Sequence, residues 1–218
     1  MLSNVEIAQL IVAIKETIYM SLISLSFSAI IGVVTGIVLY CTQSNGLYEN
    51  KIVNKIADTL INTLRAIPFI ILMIILIPVS KFFTGSMLGA TAALPSLIVA
   101  ASPFYARLCV IALLEVDKGV IEASKAMGAT KLDIIIKVLI PESLPALISG
   151  LSVTGISLVS YTAMAGALGS GGLGNLAYMY GFARRNNVIL YGATILVILL
   201  VFLIQAIGDY CVKRIDKR

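Results

Sequence analysis

From Ser143 to Ala183 the chain carries no charged residue. A run of that length has no place on a water-exposed surface. It is also not isolated, because 59% of the 218 residues are hydrophobic, only 12% are charged, and the mean hydropathy is +1.02. One soluble core could not bury so much apolar surface, so a lipid bilayer must be the solvent for most of the chain. In lipid every backbone N–H and C=O must be satisfied within the protein, which restricts spanning segments to helices or a closed barrel. Unbroken apolar stretches near 20 residues match a helix crossing the hydrocarbon, whereas barrel strands would alternate. The expected class is therefore an all-α integral membrane protein, a single domain over residues 1–218.

Five spans are predicted, at about 17–41, 59–80, 87–110, 144–168 and 188–208. The first contains Gly32 and Gly36, a small-xxx-small pair suited to close helix packing. The second contains Arg65, Pro68 and Pro78, and the third Pro95 and Pro103. Pro68, Pro95 and Pro103 are expected to bend spans or free backbone carbonyls. Between spans four and five, Gly166, Gly169, Gly171, Gly172 and Gly174 make a poor helix, so a non-helical turn is expected there. Basic residues orient the chain. Lys118, Lys125, Lys131 and Lys137 before span four, and Lys213, Arg214, Lys217 and Arg218 after span five, all belong on the cytoplasmic side. An even number of spans must separate them, and two fit. Counting back puts the N-terminus outside, the C-terminus inside, and Lys15, Lys81, Arg184 and Arg185 outside. The last two run against the positive-inside bias.

The net charge of +5 is scattered through short loops, which speaks for membrane orientation rather than nucleic-acid binding. Cys41, Cys109 and Cys211 form no metal-binding spacing and are expected to be reduced structural thiols. The first segment, Met1 to Ile14, does not read as a cleavable signal peptide. No Gly-x4-Gly-Lys-Ser/Thr phosphate loop is present and there is no histidine. An ATP site on this chain, a histidine proton relay, a His-dependent zinc protease and a Ser-His-Asp hydrolase are thereby excluded as readings. The serines at 21, 24, 26 and 28 read as packing or hydrogen-bonding residues.

One polar segment, 117–141, interrupts the apolar chain between spans three and four. Asp117 is placed to cap a helix. Val120, Ala123, Ser124 and Met127 follow at i, i+3, i+4 and i+7, giving one small-to-apolar face flanked by Glu122 and Lys125. Gly128 can take the positive φ that ends such a helix. Thr130-Lys131-Leu132-Asp133 fits a capping box that starts a second helix. Ile134 to Ile140 would carry it into the membrane interface, with Pro141 and Pro145 bending the entry to span four. Two destinations fit the narrow apolar face: the lipid headgroups, or a groove on a soluble partner.

The spacing of Glu122-Ala123-Ser124, Gly128 and Leu139-Ile140-Pro141 resembles the loop by which permease subunits of ABC importers dock their ATPase. Arg65-Ala66-Ile67-Pro68-Phe69, Met164-Ala165-Gly166-Ala167-Leu168-Gly169 and Gln205-Ala206-Ile207-Gly208-Asp209 extend the likeness over nearly the whole chain, most closely to the methionine-importer permeases. Ser124 stands where that motif often has Ala. The resemblance implies a five-span subunit in the bacterial inner membrane with a cytoplasmic coupling hairpin, working as a homodimer. It implies two ATP-binding subunits that carry ATP and Mg, an external substrate-binding lipoprotein, and import of an amino acid by alternating access. ATPase docking would fall on Val120, Glu122, Ala123, Ser124, Met127, Gly128 and Pro141, and no cofactor or metal on this chain.

Three residues are candidates for the path. Arg65 could meet the hairpin or a substrate carboxylate, or could snorkel to headgroups. Tyr161 and Met164 lie one helical turn apart just before the glycines. The flexible thioether of Met164 could close a narrow axis, or both residues could simply pack the helix.

Overall fold

The computed structural model describes residues 4–216; Lys217 and Arg218 lie outside the described residues. Among the described residues every element is helical: α1 (Asn4–Thr42), α2 (Lys51–Ala66), α3 (Phe69–Ile75), α4 (Ile77–Thr84), α5 (Ala90–Leu114), α6 (Lys118–Ala126), α7 (Lys131–Ser170), α8 (172–182) and α9 (Asn187–Ile215). Four of them, α1, α5, α7 and α9, are long and apolar enough to cross a membrane, and the bent pair α2–α3 makes a fifth candidate.

The most buried helix is α5, with Ala93, Leu97, Ala101 and Ala106 fully enclosed. Its principal neighbour is α1, brought close by the absence of side chains at the small-xxx-small pair. A Cβ on Gly32 would lie 2.7 Å from the Tyr105 ring, and one on Gly36 2.6 Å from Cys109 Cβ. Pro95 and Pro103 are taken up inside α5 without ending it. Of the α1 serines, Ser26 donates to Leu22 O and Ser28 to Ile98 O, while the buried Ser21 and Ser24 hydroxyls have no partner.

The predicted second span is not a single rod. A helix begins eight residues earlier, at Lys51, where the Asn50 side chain accepts from the N–H groups of Ile52 and Val53. It stops at Ala66 and the chain turns through 104° into α3. Pro68 is the cause: it drives Ile67 into extended geometry (φ −78°, ψ 123°) and has no N–H to continue the ladder. The expected span 59–80 thus mixes the end of an amphipathic helix with two short apolar ones.

The second helix of the hairpin runs unbroken through Pro141 and Pro145 into span four, as α7 from Lys131. A π-helical stretch, Ile134–Leu139, precedes Pro141, with Ile140 N–H donating to Ile135 O. That wider register accommodates a residue with no N–H to donate. The glycine segment is non-helical only at its centre, where Gly169, Gly171 and Gly172 have φ of 93°, 79° and 77°. The chain then re-enters a helix, α8, rather than a turn. Gly166 and Gly174 permit backbone-to-backbone contact across this break: a Cβ on Gly166 would sit 2.9 Å from Gly174 C, and one on Gly174 2.7 Å from Ala163 C.

Candidate functional site

Three features of the fold bear on function: the α6 hairpin, a cleft under the Pro68 bend, and the clasp that holds α8.

The hairpin follows its local signals. Asp117 Oδ1 accepts from Gly119 N at 2.6 Å and starts α6. Gly128 ends it at φ 82°, with Gly128 N and Ala129 N donating to Lys125 O and Ser124 O. Thr130 then caps α7, its hydroxyl accepting from Asp133 N at 3.2 Å. The predicted face is divided by tertiary packing. Ser124 turns inward with Ile121, and its hydroxyl donates to Val120 O at 2.8 Å. Ile121 joins Cys41, Leu47, Leu113, Val116, Ile134, Ile135 and Leu139 in one buried cluster. Val120, Glu122, Ala123, Lys125, Ala126 and Met127 point outward, with Val120 42% and Met127 81% exposed. Pro141 is also exposed, on α7. The loop after α1 braces this arrangement: Lys131 lies 4.8 Å above the Tyr48 ring, and a cavity of about 380 Å³ between loop and α6 is lined in part by Asn45, Lys118, Glu122 and Lys125. The result is a short helix anchored on one side and open on the other.

The cleft holds two of the three path candidates. Arg65 and Tyr161 line a space of about 250 Å³ with Leu64, Ile67, Pro68, Phe69, Leu72, Ala100 and Phe104. Tyr161 stacks on Phe69, ring centres 4.9 Å apart and planes within 14°. Arg65 is exposed and pairs with no carboxylate among the described residues. Met164 is not in this cleft; it is 44% exposed farther along α7.

At the glycine end, Glu16 Oε2 accepts from Gly172 N at 2.6 Å and Thr17 Oγ1 from Leu173 N at 2.9 Å. These two α1 side chains satisfy donors that the first turn of a helix otherwise leaves open. Asn175 adds a bond to Gly166 O at 2.9 Å.

Sequence reasoning missed several of these groups. Glu16 lies within α1, not before it. Arg107, inside the third predicted span, pairs with Asp58 of α2 at 3.3 Å. Asn54, one turn earlier, donates to Leu39 O at 2.8 Å and Thr42 Oγ1 at 3.1 Å. The spacing Asn54, Asp58, Arg65 along one side of α2 was a legible signal of an amphipathic helix.

A multi-pass helical body with a short helix anchored on one side and open on the other, and a helix after a glycine break clasped to α1, has the character of a transport permease. Residues 28–218 match the family model of binding-protein-dependent transport system inner membrane components. The chain is 53% identical over 215 residues to the methionine import system permease protein MetP of Bacillus subtilis (strain 168), covering 99% of this chain and 97% of that one. It is 45% identical over 203 residues to the probable D-methionine transport system permease protein MetI of Pasteurella multocida (strain Pm70), covering 93% and 94%. A solved inward-facing structure of the MetNI methionine ABC transporter matches with a TM-score of 0.97 at 39% identity, covering 99% of this chain and 100% of that chain. The chain belongs to the family of binding-protein-dependent transport system inner membrane components. It is a multi-pass permease component and not the ATP-hydrolysing one.

Proposed function

We propose that this chain is the transmembrane subunit of an ATP-driven importer of methionine, L- and also D-. The observation that carries the proposal is the hairpin: α6 is pinned through Ile121 and Ser124 while Val120, Ala123 and Met127 stay open on the far side. A pinned helix with an open apolar face is what a groove on an ATP-binding subunit would take hold of. Glu122 and Lys125 would border that contact, and Gly128 and Pro141 would fix where the helix stands. Ser124 would act from within, holding the helix to its own subunit.

In this reading α2–α3 counts as one span, giving five, with the hairpin and the C-terminus cytoplasmic and the N-terminus outside. The outward Arg184 is held 4.4 Å over the Tyr180 ring, which gives a cation a local partner at that end. The working unit is a homodimer with two ATP-binding subunits, which carry ATP and Mg, and an external substrate-binding lipoprotein. Arg65, Tyr161 and Met164 lie along the path, Met164 at its gate. A permease of the same group for another polar amino acid or small solute is the second reading, since related permeases share the docking loop.

The test is uptake by proteoliposomes containing this chain and its ATP-binding subunit, with the binding protein outside and ATP inside. Labelled L-methionine should accumulate only with ATP. Accumulation of a different amino acid in preference to methionine would establish the second reading, and uptake independent of ATP would overturn both.

A further inference from the structure

We propose that the cleft beneath the Pro68 bend is a transient site for the substrate amino acid, with the Arg65 guanidinium taking its carboxylate. This rests on the importer reading above and adds a ligand position within the permease.

Four observations converge on the cleft. Arg65 is unpaired among the described residues, and no carboxylate lines the space to compete for its guanidinium. A planar guanidinium forms parallel hydrogen bonds to a carboxylate, so an α-carboxylate is a matched partner. The remaining walls are apolar and aromatic. Phe69, Phe104 and Tyr161 offer ring faces and edges, and the Phe69–Tyr161 stack holds two of them in fixed orientation. An unbranched thioether packs well against such rings.

The bend itself supplies a counterpart for the amino group. Pro68 has no N–H, so the Leu64 carbonyl cannot receive the usual helical bond from position 68, and Leu64 lines the cleft. The broken ends of spans are where transport proteins meet ionic ligands, because irregular backbone is tolerated only where it lines a cavity. The volume, about 250 Å³, lies just below the range usual for small-molecule sites. That size suits a single amino acid and not a peptide. One guanidinium, three rings and a helix end that lacks the Pro68 donor, in a small space, match a zwitterion with an apolar side chain.

The experiment uses the detergent-purified complex of this chain with its ATP-binding subunit, without the binding protein. Binding of labelled L-methionine is measured by equilibrium dialysis, with unlabelled L-methionine and L-methioninamide as competitors. The amide keeps the amino group and thioether but has no carboxylate. In the unmodified complex the amide should compete at least about tenfold more weakly, the scale of one charge-assisted hydrogen bond. Arg65→Gln should erase that difference, Arg65→Lys should keep part of it, and Phe104→Ala should weaken both competitors alike. Should Arg65→Gln not assemble with the ATP-binding subunit, the Arg65→Lys and Phe104→Ala comparison decides. Equal competition in the unmodified complex, no saturable methionine binding, or unchanged discrimination in Arg65→Gln would overturn the site and leave Arg65 to lipid headgroups. Uptake in proteoliposomes reports separately: ATP-driven uptake without carboxylate discrimination removes only this site, whereas absent uptake removes the importer reading.

Discussion

The α1–α8 clasp is open to a direct energetic test. Glu16→Ala would remove the acceptor of Gly172 N, which is bonded at 2.6 Å and belongs to a buried residue. A buried N–H left without a partner costs about 1–3 kcal/mol, and the bond lost here is to a carboxylate, so about 2 kcal/mol is a reasonable figure. Thr17→Val keeps the shape of a side chain that is 2% exposed but removes the acceptor of Leu173 N, for a further cost of about 1 kcal/mol. The two sites are adjacent, so their effects should not simply add. At about 2 kcal/mol the local opening equilibrium shifts roughly 30-fold. Hydrogen exchange read by mass spectrometry should show that loss of protection in peptides covering 172–182 of Glu16→Ala. Peptides covering 93–106 of α5 should be unchanged. Glu16→Gln retains an acceptor oxygen and should fall between the two. Unchanged protection in 172–182, or an equal loss along the whole chain, would refute the clasp.

Other outcomes follow from the same geometry. Gly36→Ala places a methyl 2.6 Å from Cys109 Cβ and 3.0 Å from Ala106 O, and should cost about 1–3 kcal/mol; an unchanged thermal melting point in detergent would contradict the α1–α5 contact. Gly128→Val forces a β-branched residue to φ 82°, a strain of roughly 1–2 kcal/mol. It should reduce uptake while the protein still inserts and dimerises, and Glu122→Lys should do the same by reversing a charge on the outward face of α6. Met164→Cys, with Cys41, Cys109 and Cys211 removed, should crosslink between subunits in a nucleotide-dependent manner. Its failure to crosslink in any state would assign Met164 to helix packing.

Hydropathy made the long helices legible, and local chemistry made the hairpin legible: Asp117, Gly128 and Thr130 each act through neighbours a few residues away. The 104° turn at Pro68 was less accessible. Continuous apolarity across Ile67–Leu76 hides a break, and opening the predicted span at residue 59 concealed the amphipathic start of α2. The partition of the α6 face was out of reach for a different reason. Val120, Ala123 and Ser124 are neighbours on a helical wheel, and only the cluster around Ile121 decides which of them turns inward. Glu16 escaped because it sits at the margin of an apolar run, where charge reads as a boundary, and Arg107 because it lies inside one with no charged residue near it in sequence. Their partners, Asp58 and Gly172, are distant in sequence.

In the proposed importer, energy enters the permease through the outward face of α6. A photo-crosslinking amino acid at Ala123, in the assembled complex, tests it most directly. The expected result is a covalent adduct with the ATP-binding subunit, with yield that changes between nucleotide-free and ATP-bound states, and no such adduct from the buried position Ile121. Adducts only with lipid at Ala123, in every nucleotide state, would contradict the account and place α6 on the membrane surface.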